Sequence, residues 1–114
     1  MPADTTEMIS SAEWLASREP EAPHALVERV RELLAAHPEW ERLPRVDAFI
    51  EASELLLRRV LEGGAIARAN ALDLLAADAC VTWAFEAAAD DPANIAAHAE
   101  RAAARIAGIA SEFA

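Results

Sequence analysis

Prolines and glycines cut this chain into segments whose apolar residues recur every three or four positions, and no segment shows the apolar–polar alternation of a strand. That period is the signature of amphipathic helices. The breaks fall at Glu19–Pro23, Pro38–Pro44, Gly63–Gly64 and Asp90–Pro92, where the backbone cannot continue a helix or has no preference for one. Ala, Leu, Glu and Arg, all strong helix formers, dominate between the breaks. The expected fold is all-α: a single domain over residues 1–114, an antiparallel bundle of four main helices plus an N-terminal helix.

The spacing predicts a first helix over about Thr5–Glu19, with Asp4 and Glu7 as a capping-box-like start. A second runs over about Pro23–His37, with Pro23 at its first position and Leu26, Val30, Leu33 and Leu34 as its stripe. A short connector between Pro38 and Pro44 leads to a third helix ending near Glu62. Val46, Phe49, Ile50, Ser53, Leu57 and Val60 share one face of it, and Gly63 is the expected left-handed residue past its end. The fourth helix starts at Ala65 or at Ala71, the latter with Asn70 as cap, and ends near Ala89. It is apolar nearly all round apart from Asp78, Thr82 and Glu86, the pattern of a helix buried at the centre of a bundle. The fifth, Pro92–Phe113, carries Ile95, Ala99, Ala102, Ile106, Ile109 and Phe113 as a heptad-like seam, with His98 on its polar side.

Composition narrows the function classes. The chain has no Lys, which removes Schiff-base chemistry and the P-loop lysine. Its three Gly have the wrong spacing for a phosphate cradle. One Cys and three His fall short of the usual structural zinc site. Cys80 has no disulfide partner, and the acidic N-terminus is unlike a signal peptide. No apolar run reaches membrane length, so the expected setting is the cytoplasm. Ala and Arg in place of Lys and Tyr fit a GC-rich, bacterial-type genome. The net charge is −10, all of it in residues 1–91, and such a field disfavours nucleic acid. Thirty of the 114 residues are Ala, so the core is poor in side-chain volume. A core of that kind gains apolar burial from a second subunit, and a homodimer or another protein partner is expected.

Asp73 stands on an otherwise apolar side of the fourth helix, where a lone carboxylate is costly. Either the Asn70 cap satisfies it at the helix start or it binds something. Glu51 and Glu54 lie one turn apart and could share a magnesium ion, or Glu54 could pair with Arg58 on an exposed face. The spacing Glu51-Ala-Ser-Glu54, then Asn70-Ala-Leu-Asp73 fifteen residues on, resembles the ExxE…ExxD pattern of the MazG-like all-α nucleotide pyrophosphohydrolases. The resemblance covers roughly residues 46–106. It implies Glu51, Glu54 and Asp73 as magnesium ligands, Arg101 and Arg105 as phosphate contacts, and a nucleoside triphosphate as substrate. Asn70 departs from the family pattern by replacing a Glu, and the absence of Lys removes a usual phosphate partner. Magnesium enters only with this resemblance; no cofactor is otherwise expected. The stretch Leu74–Glu86 is also similar to a core helix of the isoprenyl diphosphate synthases, whose second aspartate-rich motif Asp90–Asn94 does not complete. Trp14, off the main stripe of the first helix, and Trp40, in the connector, are candidate partner contacts, with packing over a core edge as the alternative. Cys80 reads as a small buried hydrophobe. The first expectation is a non-catalytic helical domain working through protein contact; the second is the nucleotide pyrophosphohydrolase-like protein; the third is an apolar pocket holding a small hydrophobic ligand.

Overall fold

A computed structural model describes residues 9–18, 21–63 and 68–113. They form five α-helices: α1 Ser11–Ala16, α2 His24–Ala36, α3 Arg45–Gly63, α4 Arg68–Ala88 and α5 Ile95–Glu112. Two 3₁₀ turns, Pro38–Arg42 and Pro92–Asn94, precede α3 and α5. The all-α bundle stands, and no strand occurs among the described residues.

Several boundaries move, each for a local reason. The start of α1 is at Ser11 because the extended Ser10 caps it, its Oγ accepting from Glu13 N at 3.0 Å. The expected Asp4–Glu7 cap lies outside the described residues. Pro23 is the flanking residue of α2, with ψ near 131°, instead of its first helical position. Gly63 is the last residue of α3 and stays out of the left-handed region. Its missing side chain serves proximity: a Cβ there would sit 3.3 Å from the Asn70 carboxamide. Asn70 and Asp73 both lie inside α4, so Asn70 does not cap it.

α3 and α4 form an antiparallel hairpin, shown by Gly63 near Asn70 and by Ser53 Oγ donating to Ala77 O at 3.2 Å. That bond satisfies the one hydroxyl on the buried face of α3. α5 runs parallel to α3, because Asp47 meets Arg101 and Arg58 meets Glu112, a constant offset along both chains. α1 and α2 close the other side. The core is Leu15 of α1, Val27, Val30, Leu33 and Leu34 of α2, Phe49, Ile50 and Leu56 of α3, and a floor of Ala76, Ala84, Ala87 and Ala88 from α4. Three aromatic rings cross it: Phe49 lies 5.3 Å from Trp14 and 6.1 Å from Trp83 between centroids.

Two expectations about the C-terminal helices change. α4 is not surrounded: Leu74, Leu75 and Phe85 are exposed on the face away from α3. On α5, Ala102 and Ile109 of the expected seam are buried, but Ile95 and Phe113 are exposed, and His98 takes a buried place instead. Ion pairs from Arg101 to Asp47 and from Arg105 to Glu51 and Glu54 run along the seam between α5 and α3.

Candidate functional site

The sequence-derived carboxylates fall into two separate clusters. On α3, Glu51 and Glu54 rise one turn apart toward α5 and both are held by Arg105. Its Nη2 donates to Glu51 Oε1 at 2.6 Å, and its Nε pairs with Glu54. Partial burial works against the Arg105 cation, but hydrogen bonds to the two carboxylates outweigh it and hold the guanidinium pKa above its ordinary value. Arg101, one turn earlier, donates to Asp47 at 3.0 Å. Arg58 pairs with Glu112 across the same seam, not with Glu54. Arg101 and Arg105 therefore meet carboxylates of their own chain.

Asp73 is held elsewhere. Arg29 of α2 reaches it with a forked contact, Nε to Oδ1 at 2.7 Å and Nη2 to Oδ2 at 3.4 Å. The hydrogen bond to Asp73 is also what raises the Arg29 pKa. The open choice for Asp73 resolves to an interhelical ion pair. Each carboxylate of the proposed magnesium set thus has a guanidinium on it. Among the described residues no group of three or more His, Cys, Asp or Glu could hold a metal ion.

Trp14 and Trp40 are not surface anchors. Trp14 is 1% exposed, packed on Phe49 with the Arg18 guanidinium 3.9 Å above its ring. Trp40 is buried and stacks on His37 at 4.1 Å, while His37 Nδ1 lies 3.0 Å from Leu33 O. Both take the core-edge place that was the alternative. Cys80 is fully buried, and burial pushes its thiol pKa well above the ordinary value, so it packs without reacting.

At the end of the bundle where α3 begins, a cavity of about 510 Å³ opens between Ser11, Glu41, Arg45, Asp90, Asp91 and His98. Ile9, Leu43, Pro44, Val46 and Ala87 line it as well, so its wall is mixed, part apolar and part charged. His98, expected on the polar side of its helix, is 9% exposed and bridges two groups. The Arg101 guanidinium can only donate, so His98 Nδ1 accepts it at 2.8 Å and Nε2–H donates to Asp91 Oδ2 at 3.1 Å. Asn94 Nδ2 donates to both Asp91 oxygens at 3.1 Å. Hydrogen bonds from His98 and then Asn94 lower the Asp91 pKa below its ordinary 3.8. A lowered carboxylate contributes stability above its unfolded pKa and loses it as pH falls through the folded one. Asp91→Asn is therefore expected to lower Tm at pH 7, with the gap to the parent chain closing below about pH 3.8. A gap constant down to pH 2 in thermal melts would show that Asp91 works through shape alone.

The remaining feature is the outer face of α4. Ala71, Leu74, Leu75, Asp78, Thr82, Phe85 and Ala89 are exposed together, with Leu74 at 51%, Leu75 at 57% and Phe85 at 45%. Single exposed Leu residues are ordinary; here three large apolar residues share one helix face with the exposed Asp78, Thr82 and Glu86. The sequence pattern hid it, because an all-round apolar helix does not say which of its sides is covered. No helix among the described residues is long and apolar enough to cross a membrane. No protein-family model, curated protein or solved structure matches the chain.

Proposed function

We propose that the chain is a non-catalytic helical domain that works through protein contact, its most direct partner a second copy of itself. The observation that carries this reading is the uncovered strip of Leu74, Leu75 and Phe85 on α4. Covering the exposed half of one such side chain is worth about 1 kcal/mol. The occupied state of the acidic groups supports it further: Glu51, Glu54 and Asp73 each already answer an arginine. The magnesium pyrophosphohydrolase reading requires those three to converge on one ion, and they sit on two different seams.

Light scattering across roughly 10–500 µM tests the proposal, a range that reports micromolar dissociation constants. The expected result is a concentration-dependent monomer–dimer equilibrium that tightens with added salt, because two copies each carry −10. Leu75→Glu is expected to leave a folded monomer. A monomer throughout the range would overturn self-association. A Tm rise with magnesium plus a nucleoside triphosphate, absent with either alone, would favour the pyrophosphohydrolase reading.

A further inference from the structure

α5 meets α3 through charge. Arg101 pairs with Asp47, Arg105 with Glu51, and Glu112 with Arg58, each pair 54 positions apart in the chain. On α3 these residues and Glu54 are spaced 4, 3 and 4 apart, and the matching row on α5 is Arg101, Arg105, Gly108 and Glu112. A seam with that spacing ordinarily carries apolar side chains. Here it carries ions and a glycine, and Arg105 serves both Glu51 and Glu54. Little else holds α5 down. Of its 18 residues only His98, Ala102 and Ile109 are buried, whereas α3 buries seven of 19. Among the described residues α5 adds only Ala102 to the main core, so α1–α4 hold a core of their own. We infer that α5 is a latch held by charge: it lifts off α3 as one unit while α1–α4 stay folded, and ionic strength sets how often it does so.

Three properties favour release. The ion pairs are open to water: Arg101 and Glu112 stand half exposed near the two ends of the seam, and pairs of that kind hold weakly and are screened by salt. The helix itself is the second point. An isolated helix of this length is marginal in water, so α5 loses its structure when it loses α3. Gly108 weakens it further, because a glycine inside a helix costs stability. It serves no close approach, since a Cβ there would meet nothing within 4 Å. The ends give the third. Ile95 and Phe113, the large apolar residues at either end of α5, are both exposed and anchor nothing.

Two variants move the latch in opposite directions. Glu51→Gln with Glu54→Gln takes both carboxylates from Arg105, and is expected to raise the open population on the order of tenfold. Gly108→Ala places a methyl in open space and favours the docked helix, so it is expected to lower the open population by about two- to fivefold.

Amide hydrogen exchange of the full chain, read by mass spectrometry peptide by peptide, tests the inference between about 0.05 and 1 M KCl. At low salt the α5 amides are expected to exchange together and at least about tenfold ahead of those of α3 and α4. At high salt they are expected to gain about another tenfold, while α3 and α4 do not follow. Screening relieves the repulsion within a chain of net charge −10, so a gain confined to α5 is not a general loosening. Protection and salt response shared by α5 and α3 would overturn the inference, since the two would then open only together. Early exchange of α5 that ignores salt would overturn the charge latch, because the helix would then fray for want of burial alone. Circular dichroism checks that the double glutamine variant folds. If it does not, Gly108→Ala still decides: exchange of α5 no slower than in the parent chain would overturn its release as an unfolding unit.

Discussion

Phe49→Ala is expected to lower the stability of the chain by about 3–5 kcal/mol. Phe49 is fully buried on α3 and touches two other core aromatics, Trp14 of α1 and Trp83 of α4. Removing it opens a cavity between three elements at once. Apart from Trp83, the core surface of α4 is mostly Ala, and such short side chains cannot lean in to fill the space. A domain of this size has about 5–15 kcal/mol in all, so the loss is a large part of the total. α1 should feel it first: the helix has six residues, and Trp14 and Leu15 are its buried anchors. Urea unfolding followed by tryptophan fluorescence and by circular dichroism measures the effect. The expected outcome is a fall in midpoint, with the fluorescence change preceding the helical one. Phe49→Leu should cost about 1.5 kcal/mol or less, and Arg59→Ala, on the exposed side of α3, within about 0.5 kcal/mol. A Phe49→Ala cost near that of Arg59→Ala would mean that the aromatic cluster does not hold the three helices together.

The helices were legible because their breaks are local. Pro20, Pro23, Pro38, Pro44 and Pro92 act on their own neighbours, and the period of Val30, Leu33 and Leu34 on α2 is carried by a few residues. What covers each helix was not legible. The Glu54–Arg58 spacing is a local rule, yet Arg105 and Glu112, more than 50 residues away, took those partners. His98 looked polar on its own helix and became buried because Asp91 and Arg101 converge on it. The outer face of α4 shows the same limit in reverse. Leu75 and Phe85 have the residue types of a core, and only the position of α3, α2 and α5 around α4 reveals that they face outward. Of the candidate site, the pairing of Glu51 with Glu54 on one face was readable from their spacing. The separation of both from Asp73 depends on α2, whose Arg29 carries no sequence signal of its role.

The Arg29–Asp73 pair is expected to respond very differently to removal of its two ends. Arg29→Met should destabilise the chain by about 2–3 kcal/mol. It leaves Asp73, 8% exposed on an apolar side of α4, without its cation. The usual cost of orphaning one end of a buried pair is somewhat larger, and the reduction here reflects the 22% exposure of the Arg29 side chain, which lets water share the site. Asp73→Leu should cost about 1 kcal/mol or less, because the freed Arg29 still reaches Glu32 at 3.5 Å and solvent beyond it. The double variant, Arg29→Met with Asp73→Leu, should return to within about 1 kcal/mol of the parent chain, since an apolar pair of similar volume replaces an ion pair whose attraction was offset by desolvation. Urea midpoints of all four chains form a double-mutant cycle with a coupling of about 2 kcal/mol. Equal costs for the two single changes would contradict the asymmetry. Simple additivity in the double variant would mean that Asp73 finds water or another donor when Arg29 is gone. The cycle also bears on function. A carboxylate whose stability depends on its own arginine is a structural link between α2 and α4, and its substitution should leave the α4 outer face, and any dimer built on it, unchanged.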